Sequence, residues 1–358
     1  MKKQKKKSKK ITIIILLILF IAGAIFGYGY YNGWFKAKDI IPIKKLKKHG
    51  KKLNIIDLNS NERPYAVMID NVKEARPQYG IQKAYMLYEI IVEGGLTRMM
   101  AVFKDVDVPK IGPVRSSRHY YLDYALENDA IYTHYGWSYI AEDDIKRLGI
   151  NNLNGLDNPA NMFFRDSSLH KAPHNAYTNT EKIKAAAEKK GYRKTSDDYL
   201  NLNYSEKNIN LDKKYSKKDE NGNLISSSIP ANDIKITYSK SIYSSYKYDS
   251  EKKVYLKFAN GVEHKDAATN EQLSVKNIII VNDVKNYSVD SYGRQNIKNI
   301  GTGSGYYISN GYAIKITWEK SSRDSKTIYK DEDGKKLVVN DGNTFIHIQP
   351  SEYKPEIN

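Results

Sequence analysis

The sequence predicts an α+β (or α/β) N-terminal ectodomain followed by a mainly antiparallel β C-terminal domain, with one N-terminal transmembrane helix ahead of both. Three observations predict this architecture. An uncharged apolar run at residues 11–31 follows seven lysines within residues 2–10. Between residues 63 and 191, strand-like and helix-like segments alternate. Beyond Ile234 the chain breaks into short β-rich runs punctuated by Asn-Gly and Asp-Gly dipeptides.

The anchor comes first. The 21 residues ITIIILLILFIAGAIFGYGYY (11–31) would span roughly 31 Å as a helix, about one hydrocarbon core. Tyr28, Tyr30, Tyr31 and Trp34 gather at the far end, where amphipathic rings favour the membrane interface. Residues 1–10 form a basic tail that stays cytoplasmic by the positive-inside tendency, so the chain from Asn32 onward is expected to be extracytoplasmic at the cell membrane. Ala22-Gly23-Ala24 also fits a signal-peptide cleavage site, and cleaved or retained, the run exports the rest of the chain. Residues 32–60 read as a basic juxtamembrane linker. Its lysines 44, 45, 47, 48, 51 and 52 suit a solvated tether or contact with anionic lipid heads and wall polymers.

An N-terminal α/β domain is assigned to residues 61–195. Residues 65–69 form an apolar strand ending at Asp70-Asn71. Residues 85–93 and 96–104 read as a hairpin about a two-residue Gly94-Gly95 turn. Ser117 is placed as the cap of a helix through Leu126, and residues 130–134 as a short strand. Ser138 caps a second helix ended by Gly149, and Thr178 with Glu181 makes a capping-box pattern for a third that stops before Gly191. Residues 196–230, with the run KKYSKKDENGN, read as a polar linker or long surface loop. A β-rich C-terminal domain is assigned to residues 231–358, with strands at 254–258, 278–281, 313–318 and 344–348. Turns are expected at Asn260-Gly261, Asn310-Gly311, Asp333-Gly334 and Asp341-Gly342. Gly301-x-Gly303-x-Gly305 precedes a hairpin rather than a helix, so it is a flexible turn and not a dinucleotide fingerprint.

The net charge of +17 is unevenly placed. Residues 1–52 hold 15 of the 58 Lys and Arg and a single acid, Asp39, whereas the remaining 306 residues carry 43 bases and 40 acids. The basic excess therefore belongs to the anchor and its flank, which removes the electrostatic case for nucleic-acid binding by the folded part. With no cysteine, disulfides, thiol nucleophiles, Cys-based metal sites and a lipidated N-terminal cysteine are excluded. Thirty tyrosines suggest β surfaces on which rings pack inward and hydroxyls stay wet.

Three constellations carry the chemistry. A two-residue turn would place Glu89, Glu93 and Arg98 on one face of the hairpin, either as an ion-paired sheet surface or as the wall of a polar site. Glu89 and Glu93 lie about 13 Å apart along one strand at 3.3 Å per residue, too far for a glycosidase pair. In IGPVRSSRH (111–119), Arg115, Ser116, Ser117 and Arg118 at a helix start would make an anion site for phosphate, carboxylate or an acidic polymer. The alternative is internal pairing with Glu89, Glu93 or Asp123. In HKAPHNAY (170–177), His170 and His174 have the spacing of helical metal ligands, but Pro173 between them makes this a loop. With His134 or Asp70 they could supply a loop metal site or a general base, although loop histidines with ordinary hydrogen bonds are commoner. No metal and no cofactor is expected.

Several segments together resemble the YerB-like family of bacterial envelope proteins: RPYAVMIDN (63–71), ARPQYGIQKA (75–84), YEIIVEGGLTR (88–98), IGPVRSSR (111–118), DAIYTHYG (129–136) and HKAPHNAY (170–177). TNEQLSVKNIII (269–280) and ITWEKSSRDSKTIY (316–329) extend the likeness, so it covers roughly residues 60–350. That family is classed by inference as lipoproteins with two domains of unknown function, and it supplies no catalytic residues to carry over. The resemblance implies a bacterial, Gram-positive cell-surface location. Since this chain has no cysteine to lipidate, the transmembrane helix is expected to take the place of the lipid.

The function expected is a non-catalytic binding or adaptor module of the cell envelope, for an anionic wall polymer or a wall-synthesis partner. The alternative is a hydrolase or transferase acting on an anionic envelope substrate. In it, Arg98, Arg115 and Arg118 clamp the substrate, Glu89 or Glu93 is the base, and His134 or His174 moves protons.

Overall fold

Strands outnumber helices because the sequence supplies short alternating or wholly apolar runs and few stretches with helical periodicity. The computed structural model describes residues 53–358; the expected tail, transmembrane anchor and most of the linker lie outside the described residues. Among those described, no helix is long and apolar enough to cross a membrane.

The N-terminal part contributes β1 (Tyr65–Asp70), β2 (Met86–Ile91), β3 (Thr97–Phe103), β4 (Ile131–His134) and β5 (Asn152–Asn154). It also supplies the helices α1 (His119–Glu127), α2 (Tyr139–Arg147) and α3 (Thr180–Lys189). The C-terminal part is β-rich: β6 (Asp233–Thr237), β7 (Tyr243–Asp249), β8 (Val254–Ala259), β9 (Asn277–Val284), β10 (Gly301–Ser309), β11 (Tyr312–Lys320) and β12 (Thr344–Pro350).

A single mixed sheet joins the two parts. Its order is β11-β10-β9-β12-β2-β3-β1-β4-β5, with short strands added at β11. β12 pairs in parallel with both β9 and β2, and Met86 lies opposite Thr344 at the junction. A smaller antiparallel sheet is built on β6, β7 and β8. The strands β1, β2 and β3 are buried along their whole length, which explains their apolar character without alternation. Tyr88 reaches one way to Glu127 on α1, and Glu89 reaches the other way to Lys257 on β8.

Several expectations change. The β2–β3 turn contains three residues, Glu93, Gly94 and Gly95, because the Val92 amide bonds the Leu96 carbonyl. Both glycines have positive φ (67° and 70°), which suits a three-residue connection. The register therefore pairs Ile90 with Arg98 and Glu89 with Met99. A one-residue slip sends a side chain to the other face, so Arg98 does not share a face with Glu89; Thr97 does, and its hydroxyl donates to the carboxylate at 3.0 Å.

Helix starts shift in a similar way. Arg118, not Ser117, precedes α1, and no side chain caps it. Ser138 does cap α2, accepting from the Ala141 amide. Asn179 rather than Thr178 caps α3; the Thr178 hydroxyl is used on the Met162 carbonyl. Residues 196–230 are packed rather than free, with Tyr199, Leu202, Tyr204, Leu211 and Tyr215 buried and a short strand, Asn203–Ser205, pairing with Val338–Asn340. The glycine-rich 301–305 segment is strand, not turn. A Cβ at Gly305 would meet the Ile280 carbonyl oxygen at 2.1 Å and one at Gly303 the Trp318 ring at 2.6 Å. Many tyrosines are also drier than expected: Tyr88, Tyr120, Tyr121 and Tyr132 are fully buried with hydroxyls bonded inside.

Candidate functional site

A cleft of about 390 Å³ opens where the ends of β1 and β2 meet β7 and β8. One wall carries Lys73, Arg76, Arg115 and His174, and the floor carries Asn71, Glu89, Thr97 and Ser244.

The floor is a closed polar network. Glu89 is 1% exposed and stays ionised, because Asn71 and Thr97 donate to Oε1 while Ser244 and Lys257 donate to Oε2 at 2.8 and 3.0 Å. Burial pushes its carboxyl up, yet Lys257, His347 and these donors outweigh burial and hold it at about 2. His347 on β12 is sealed between the Tyr238 and Tyr246 hydroxyls, and burial pulls it down to about 3. Removing one partner of such a buried pair leaves a stranded charge, at a cost of roughly 3–5 kcal/mol. So firmly held a carboxylate is a weak proton acceptor and a strong brace.

The wall is less satisfied. Asp70, 1% exposed, receives the Arg115 Nε at 3.1 Å and the His174 Nδ1 at 2.7 Å, both on Oδ2. These three residues come from the end of β1, the 111–118 segment and the 170–177 loop. Arg76 differs from Arg115 and His174. Its Nε contacts the Val72 carbonyl at 3.4 Å, and among the described residues no carboxylate lies within 4 Å of its guanidinium. Burial lowers its pKa, against the attraction of Glu89 and Glu74. It is a partly desolvated cation whose opposing charges, Glu89 and Glu74, act on it without direct contact.

The remaining sequence-predicted residues lie elsewhere. Glu93 is clamped by Arg118 through two bonds of 2.5 and 2.7 Å and neighboured by Arg98 at 3.9 Å. Arg98 also donates to the Ser116 carbonyl; burial and the like charge of Arg118 bring it down to about 10. This cluster is the internal pairing that the sequence left open. Ser117 is buried, accepting from the Tyr132 hydroxyl. His134 is enclosed between the Tyr132 and Trp137 rings, bonded to Gly136 and Asn152, and drawn to about 4 by burial. His170 is buried against the Tyr177 hydroxyl at 2.6 Å. Of the candidates, Glu89, Arg115 and His174 line the cleft, with Asp70 directly behind.

Sequence reasoning missed Arg76, Asn71, Ser244, Lys257 and His347. One signal was available for Lys257. In the alternating strand VYLKFA it shares a face with Tyr255 and Ala259, and a lysine among apolar partners calls for a buried acid. The others are joined only by long-range contacts.

Comparison with known proteins fits this layout. Residues 53–193 match the family described as "Protein of unknown function (DUF3048) N-terminal domain" and residues 234–346 match its C-terminal domain. The chain is 31% identical over 324 residues to "Putative lipoprotein YerB" of Bacillus subtilis (strain 168), covering 87% of this chain and 89% of that protein. The crystal structure of YerB protein from Bacillus subtilis superposes with a TM-score of 0.71 at 29% identity, covering 85% of this chain and 96% of the other. The chain therefore belongs to the YerB-like, DUF3048 family.

Proposed function

We propose that this chain is a membrane-anchored, extracytoplasmic protein of the cell envelope whose cleft binds an anionic group on a wall polymer or on a wall-synthesis partner. The apolar run at residues 11–31 behind its lysines supports the anchor, as does the lipoprotein name of the Bacillus relative. The observation that carries the binding reading is Arg76, half-buried on the cleft wall without a carboxylate partner. A bound anion would offset its desolvation. Arg76→Ala, in the full chain purified in detergent, is expected to weaken binding of an anionic wall polymer at least tenfold with the melting temperature kept. Unchanged affinity would remove the cleft from the account.

One observation favours a hydrolase or transferase as the second reading. Asp70 anchors Nδ1 of His174, which leaves Nε2 as a base at the cleft wall, the arrangement used in acid–base catalysis. This reading requires turnover of an envelope polymer that His174→Gln abolishes while binding persists.

A further inference from the structure

The anion that the cleft accepts has a definable chemistry. Resting on the binding reading above, we propose that it is the phosphate of an organic phosphate ester, held by Arg76, Arg115 and His174.

Charge sets the first condition. Glu89 is matched by Lys257 and Asp70 by Arg115, and Glu74 lines the cleft with Lys73 and Arg76 and attracts Arg76. Counting these groups leaves one positive charge in excess, so the site favours an anion. The ionised floor at Glu89 keeps that anion up on the wall, against the guanidinium of Arg76.

Donor geometry sets the second. A carboxylate presents two coplanar oxygens, which a single guanidinium fork satisfies. Here the polar groups come from three separate stretches: the donors Arg76 after β1 and Arg115 before α1, and the acceptor Nε2 of His174 in the 170–177 loop. Only Nε of Arg115 and Nδ1 of His174 are taken by Asp70, so the Nη atoms of one remain to donate to a ligand and Nε2 of the other remains to accept from one. A phosphate monoester is tetrahedral with three peripheral oxygens, one for each of these residues lining one cleft, and its P–OH can donate to Nε2 of His174. Asp70 fixes the angle of both partners from behind, as a buried brace fixes groups that must act together.

Size and lining set the third. A volume near 390 Å³ falls in the range of small-molecule sites, roughly 300–1,000 Å³, and exceeds what inorganic phosphate needs. Leu96, Ile242 and Ala259 offer carbon contacts, and Tyr243 and Asn260 offer neutral polar ones. This mixture suits a short hydroxylated skeleton such as a polyol. The same monoester occurs at the phosphorylated end of a polyol-phosphate polymer and in a phospholipid whose headgroup is a terminal phosphate.

The test is calorimetric titration of the full chain in neutral detergent with sn-glycerol 3-phosphate, and with glycerate as the carboxylate on the same skeleton. The phosphate ester is expected to bind at least tenfold more tightly than glycerate. Arg76→Lys, which keeps charge but loses the fork, and His174→Gln are each expected to lower its affinity at least fivefold with melting curves retained. Should His174→Gln fail to fold, Arg76→Lys still decides the matter. Titration with a soluble polyol-phosphate oligomer ending in a phosphomonoester and with short-chain phosphatidic acid separates the two sources, and Arg76-dependent binding of either supports the site. Equal affinity for glycerate, or folded variants with unchanged affinity, overturns the phosphate assignment. If glycerol phosphate does not bind but a phosphate-free anionic wall polymer does through Arg76, the assignment fails and the binding reading stands. If neither binds, both fall.

Discussion

At the scale of single residues, the molecule separates groups held in one protonation state in its interior from groups left for ligands. His134 and His347 lie about 4 and about 3, below an ordinary value of 6.5, because burial disfavours the imidazolium. Glu89 lies at about 2, below its ordinary 4.5, because Lys257 and its donors outweigh burial. Between the folded and unfolded values the unfolded chain binds more protons at each site. Stability therefore rises with pH across each window and is lost on acidification. The histidine windows open below pH 6.5, and that of Glu89 runs from 4.5 toward 2. At about 1.4 kcal/mol per unit, His134 accounts for stability on the order of 3 kcal/mol between pH 6.5 and 4. Melting temperatures measured from pH 7 to pH 4 are expected to fall, and the fall should be shallower in His134→Gln. A flat wild-type profile would contradict neutral burial.

At the scale of elements, the β2–β3 hairpin decides which residues meet. The turn glycines were legible as a turn, but the number of residues in it was not, and that number sets the register. With three residues in the loop, Glu89 faces β7 and β8 while Arg98 packs near Glu93 and Arg118. The two glycines should respond differently to a methyl group. A Cβ on Gly94 meets nothing within 4 Å, whereas one on Gly95 comes to 2.9 Å from Cβ of Ser239. Gly94→Ala is expected to cost about 1 kcal/mol from the left-handed backbone alone. Gly95→Ala should cost roughly 2–4 kcal/mol, since overpacking adds to the same strain. Urea unfolding of both variants measures the difference, and equal costs would argue against the packing of residue 239 on the turn.

At the scale of the whole molecule, the two family-matched regions share one sheet. β2 pairs with β12, and Glu89 has its counter-ion on β8. Residues 53–193 expressed alone would expose the β2 edge and bury a carboxylate without Lys257, two features that favour aggregation and instability. That fragment is expected to be insoluble or to lack a cooperative melt, and co-expression with residues 194–358 should restore both solubility and cooperativity. A soluble, cooperatively melting fragment would show that the shared sheet is dispensable.

The sequence by itself determined local matters: the β-rich C-terminal part, the strand positions, the Ser138 cap, the Asn-Gly turns and the family. Periodicity, cap chemistry and turn dipeptides act over a few residues, so each can be read from a short window. Tertiary structure alone decided that Asp70, Arg76, Arg115 and His174 share a wall, that His134 is sealed away, and that Lys257 neutralises Glu89. Those outcomes depend on strand register and on contacts between residues as much as 168 positions apart. A buried charge finds its partner through space, and no local pattern along the chain encodes that distance.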